Sequence, residues 1–118
     1  MAMKKRNIKS AQKFIHEIVT RIVTQFEPER IILFGSHARG DAGSDSDIDL
    51  LVVMPVKGSK RKVQLQIHSA LYDIRVPKDV IVSKPDEFEW RKDIVGAIEW
   101  PATHEGRVLY AKAEVPAL

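Results

Sequence analysis

The sequence predicts an α+β domain: a small mixed β-sheet with helices packed on one face and the other face left for function. Three observations predict it. Apolar residues recur at helical spacing over 8–26 and again over 63–74. Short segments that read as strands stand at 30–34, 48–54, 79–82 and 107–111, the first of them apolar and rich in β-branched residues. Helical and extended segments interleave in the order helix, strand, strand, helix, strand, helix, strand, which suits a single layered core.

Size and composition agree with one domain spanning 1–118, with loose ends expected at 1–7 and 114–118. Hydrophobic residues at 44% and charged residues at 30% are ordinary for a globular chain. No apolar stretch approaches the ~20 residues of a membrane span. The basic start MAMKKRNIKS runs into an amphipathic segment rather than an apolar one, so it does not read as a secretory signal and a cytoplasmic protein is expected. Without cysteine, disulfides, thiolate metal sites and thiol nucleophiles are excluded. A net charge of +3 with short basic runs at 4–6 and 57–62 does not establish nucleic-acid binding.

The first helix carries Ile8, Ala11, Ile15, Ile18 and Ile22 on one stripe, widened by Phe14, Val19, Val23 and Phe26. Pro28 bars its continuation, and Arg30 to Phe34 follows as a buried strand. Residues 35–46 hold three glycines and form a loop, with a short helix starting near Ser36. The second strand runs to Met54 and stops at Pro55. Val63, Ile67, Ala70, Leu71 and Ile74 mark the second long helix, and Asp79 opens the third strand as a carboxylate opens the second. Pro85 lies in the first turn of a further helix that is expected to reach Trp100, before Pro101. A turn at Glu105-Gly106 leads into the last strand. Trp90 and Trp100, on or beside that last helix, are expected in the core, and exposure of either would mark a partner surface.

Chemistry concentrates between Ile31 and Met54. Gly35 lets backbone approach a ligand with no Cβ in the way, and Ser36 offers an N–H and a hydroxyl to a phosphate. Ten residues later Asp47 and Asp49 stand two apart, about 6 to 7 Å at Cα in an extended strand and facing one side. Such a pair suits magnesium, which prefers carboxylates together with substrate phosphates, and two ions can hold a triphosphate while activating an attacking oxygen. Other motifs fail: Gly40 is followed by Asp41 where a Walker A loop needs lysine, and no GxGxxG or GxSxG occurs. Asp45, Asp47 and Asp49 imitate the start of an EF-hand, but Leu50 replaces its glycine and Val56 its closing glutamate.

These residues resemble a known family. FGSHARG followed by SDSDIDLLVV is similar to the signature of the DNA polymerase beta superfamily of nucleotidyltransferases, in its minimal nucleotidyltransferase (MNT) branch. KDVIV and EGRVLYA extend the resemblance over most of the chain. It implies a polymerase-beta palm-like fold in which Gly35 and Ser36 bind nucleotide phosphates and Asp47 and Asp49 ligate two Mg2+ ions. It further implies that Asp79 holds one ion and helps orient or deprotonate the acceptor hydroxyl, with ATP as the nucleotide. Arg39 is implied to support the loop or a phosphate, and bracing of the loop through backbone carbonyls is an equal reading of a guanidinium there. Asp41 and Asp45 read as loop-forming acids. The four histidines form no ligand spacing, and His37 alone stands where it could touch nucleotide.

Larger relatives use added domains to hold base and acceptor, so a second protein or a second copy is expected to complete the site. MNT proteins of this size resemble the antitoxin half of modules paired with a helical HEPN ribonuclease toxin. By that resemblance AMP passes to a tyrosine hydroxyl of the HEPN partner and silences it. A binding module that masks its partner without catalysis is the competing expectation. Transfer to a small molecule such as an aminoglycoside is weaker, because no second domain to hold it is seen.

Overall fold

The computed structural model describes residues 2–43 and 45–113, with side chains from Ala11 onward. Its elements are α1 (Ala2–Phe26), β1 (Arg30–Phe34), α2 (Ser36–Arg39), β2 (Ile48–Val53), α3 (Lys60–Ala70), β3 (Lys78–Ser83), α4 (Pro85–Arg91), α5 (Glu99–Glu105) and β4 (Arg107–Ala111). The sheet has the order β3-β2-β1-β4, with β1 antiparallel to both β2 and β4 and β2 parallel to β3 through the α3 crossover. The mixed α+β architecture expected from the sequence is the one observed.

α1 has no glycine or proline within it, so helix propagates back to Ala2, through residues expected to be a loose start. The tail expected at 114–118 lies outside the described residues. Glu27 turns the chain with φ 49 ahead of Pro28. Ser59 caps α3 by accepting from the Lys62 N–H at 3.2 Å.

Both faces of the sheet are covered, unequally. On one face Ile18 and Ile22 of α1, Ile67 of α3 and Leu71 just after α3 pack against Ile31, Leu33, Ile48, Leu50 and Val52. On the other, Phe88 of α4 and Ala102 of α5 close over Ile32, Phe34, Leu51 and Val53. That second cover leaves the beginnings of β2 and β3 open, where Asp49 is half-buried and Asp79 exposed. Helices therefore lie on both faces, because Phe88 and Ala102 supply the apolar contact that Leu51 and Val53, alternate residues of a strand, require.

The helix expected from Pro85 to Trp100 is two helices. α4 ends at Arg91, and beyond it the β-branched Ile94 and Val95 and Gly96, with φ 101, turn the chain instead of continuing the helix. Pro101 then sits in the first turn of α5, where its missing N–H costs nothing, so it opens a helix rather than stopping one. A buried network fixes the pair to the sheet: the Ser83 hydroxyl donates to Glu99 Oε2 at 2.8 Å and Arg91 Nε donates to Glu99 Oε1 at 3.0 Å. Trp90 is 63% exposed, against the expectation of a core residue, because it projects from the outer side of α4 while Phe88 takes the inner one. Trp100 is half-buried and stacks on His104 at 4.6 Å between ring centroids.

Among the described residues no helix is long and apolar enough to cross a membrane. Phe88 is fully buried beneath the Arg30 guanidinium, which lies 5.6 Å from its ring centre. Phe88→Ala is expected to lower the unfolding free energy by about 3–5 kcal/mol, read from urea transitions.

Candidate active site

β1 ends at Phe34 and the chain breaks out of the sheet at Gly35, with φ 74 and ψ −158. Side chains other than hydrogen are strained in that region. Space enforces the same choice: a Cβ on Gly35 would lie 2.3 Å from Asp49 Oδ2. The Asp49 carboxylate thus rests directly on the backbone of the turn. Asp49 is opposite Phe34 in the antiparallel pairing, so sheet register delivers it there.

α2 follows at once. Ala38 and Arg39 donate their N–H groups to the Gly35 carbonyl at 3.1 and 3.0 Å, which leaves the N–H groups of Ser36 and His37 ahead of the first helical bonds. Gly40, with φ 87, closes the turn by donating to the Ser36 carbonyl at 2.9 Å.

The third acid arrives through the parallel pairing, in which Asp49 is directly opposite Asp79. Neighbours in register point to one face, so both lie over the open part of the sheet. Asp47 precedes β2 and is exposed, so pleating alone does not aim it, yet its charge reaches Asp49. Burial lifts the Asp49 carboxyl above its ordinary value, the carboxylates of Asp79 and Asp47 add to the rise, and the charges of His37 and Arg39 partly offset it.

Among the described residues, no group of three or more His, Cys, Asp or Glu side chains stands so that it could hold a metal ion by itself. The donor set nevertheless fits magnesium. That ion binds through one or two carboxylates and completes its shell with water and substrate phosphate, and here three acids share one repulsive field beside a glycine-lined turn.

Two residues differ from simple phosphate contacts. The Arg39 Nε donates to Asp41 Oδ2 at 3.3 Å, so in this state it braces the loop while its charge reaches Asp49. His37, placed by sequence where it could touch nucleotide, bonds through Nε2 to the Ser46 carbonyl at 3.2 Å. No sequence pattern signals that link, because it depends on where the loop returns. A cleft of about 340 Å3 opens on the α1 side of α2, between Gln12, Ile15, His37, Gly43 and Arg107, and none of the three acids lines it.

Residues 15–100 match the model of the nucleotidyltransferase domain, and the chain belongs to that family. Over 54 residues it is 43% identical to a presumed protein adenylyltransferase of Methanocaldococcus jannaschii, a match covering 41% of this chain. The match spans 54% of that relative's length. The fold is similar to the crystal structure of a presumed nucleotidyltransferase from Sulfolobus solfataricus, with TM-score 0.52 and 23% identity, over 99% of this chain and 91% of that one. A looser likeness, with TM-score 0.49 and 18% identity over 82% of this chain and 73% of that one, is to a toxin–antitoxin crystallised with AMP-PNP.

Gly35→Ala is expected to reduce the unfolding free energy by about 1–3 kcal/mol through backbone strain alone, measured in urea. For Asp49 the folded-state pKa lies above the unfolded one, so the folded protein holds the proton more tightly and stability falls as pH rises through that window. Asp49→Asn removes this loss. In EDTA the variant should melt above the wild type at neutral pH, and the gap should close as pH drops below the ordinary carboxylate range.

Proposed function

We propose that this chain is a magnesium-dependent nucleotidyltransferase that moves AMP from ATP to a hydroxyl of a protein acceptor. The observation that carries the reading is the placement of Asp49, in register with Asp79 on one side and closed against the Gly35 backbone on the other. Adenylyl transfer to protein is favoured by the similarity to the presumed protein adenylyltransferase of M. jannaschii, 43% identical over 54 residues.

In this reading Gly35 and Ser36 receive the nucleotide phosphates and Arg39 supports them from the loop. Asp47, Asp49 and Asp79 hold two magnesium ions. Bound magnesium supplies charge neutralisation for the triphosphate and favours an ionised acceptor oxygen. The acceptor oxygen bonds to the α-phosphorus as the bond from that phosphorus to the β-phosphate oxygen breaks. Pyrophosphate leaves and the hydroxyl proton passes to Asp79, which is exposed at the start of β3. Positioning and electrostatics carry the rate, with no covalent enzyme intermediate.

The resemblance to MNT antitoxins supports a tyrosine of a HEPN-type toxin as the acceptor. A second reading, masking of the partner without turnover, is favoured by the exposed apolar residues Trp90, Ile94, Val95 and Ile98 of the α4–α5 segment. Incubation with α-labelled ATP, magnesium and cell extract should label an acceptor, and Asp49→Ala should abolish the label. Labelling that persists in the variant sinks the mechanism. Toxin neutralisation by a doubly substituted Asp47→Ala, Asp49→Ala protein would select masking instead.

A further inference from the structure

We infer that His37 is a positioning residue that holds Asp47 in place by clamping the carbonyl of Ser46 to α2, an inference that rests on the nucleotidyltransferase reading. Asp47 needs such a device. It precedes β2, it is exposed, and neither pleating nor packing sets its direction. The two peptide groups that flank it are both pinned. On its C-terminal side the Ile48 N–H donates to the Pro77 carbonyl at 2.9 Å, tying Asp47 to the chain that leads into Asp79. On its N-terminal side the Ser46 carbonyl meets His37 Nε2 at 3.2 Å, tying Asp47 to the helix that begins at Ser36.

A carbonyl oxygen only accepts, so Nε2 carries the hydrogen in this contact and the ring donates. The Ser46 end is also organised. The Gly43 N–H donates to Ser46 Oγ at 2.8 Å, and the Ser46 N–H donates to the Gly43 carbonyl at 3.3 Å, closing a small turn beneath the clamp. The loop around it contains Gly40 and Gly43, residues that lose the most freedom on ordering. The Ile48–Pro77 bond is main chain to main chain and survives most side-chain changes. The His37–Ser46 bond depends on one side chain, so it is the point at which substitution can loosen Asp47 without touching an acid.

The test compares His37→Phe, which keeps a flat ring and loses the donor, with His37→Gln, which loses the ring and keeps an amide donor. Manganese binding in the presence of a non-hydrolysable ATP analogue is measured by electron paramagnetic resonance, alongside amide hydrogen exchange at residues 45–47 and urea unfolding. His37→Phe should weaken manganese affinity roughly fivefold, the scale of one lost hydrogen bond, and speed exchange at 45–47 with an unchanged urea midpoint. His37→Gln should restore both. The inference is overturned by a His37→Phe protein with wild-type affinity and exchange, by a loss that merely follows a lowered urea midpoint, or by failure of His37→Gln to restore. A wild-type protein that binds no manganese sinks the proposed metal-dependent transfer, and exchange at 45–47 then still decides whether His37 holds the loop.

Discussion

The closure of the Asp49 carboxylate on the Gly35 backbone is the contact on which the rest of the site depends. It requires a residue without Cβ in a conformation that side chains resist, and it requires β1 and β2 to hold the register that sets Asp49 opposite Phe34. The apolar residues on either side of Asp49 supply that register. Leu50 faces the core under α1 and α3, Leu51 faces the one under α4 and α5, and a slip of one residue would exchange them together with the acid. Core packing and site geometry are thus one constraint.

The ionised Asp49 carboxylate is costly where it sits. Burial and the neighbouring carboxylates all oppose ionisation of Asp49, and only His37 and Arg39 offset them. The sheet tolerates the three acids because their end of it is left uncovered, so water reaches Asp47 and Asp79.

Much of this was legible in the sequence. The limits of β1 and β4 match the short extended segments read at 30–34 and 107–111, and the glycine-serine turn with two acids ten residues on marked the candidate site because it sits between two apolar runs. Period-two reasoning aimed Asp49 well and Asp47 less well, since Asp47 lies before the strand where the pleat does not govern. The α4–α5 break was hidden because residues 92–98 keep helical apolar spacing while Ile94, Val95 and Gly96 lack helical propensity. Cover of the second face was missed for the same reason: a single long helix leaves Phe88 and Ala102 no obvious shared target. The His37–Ser46 bond had no signal in the sequence, because a side chain meeting a carbonyl nine residues on is set by loop path alone.

The parallel pairing of β2 with β3 also bears on the order in which the chain assembles. Phe34 and Asp49 meet across a short connection, whereas Asp79 comes thirty residues after Asp49 and needs α3 to cross over first. Closing the longer loop costs more entropy, and its reward comes only once α3 has packed. A partly folded chain would present the glycine turn and Asp49 without Asp79. The acidic pair is therefore complete only in the finished fold.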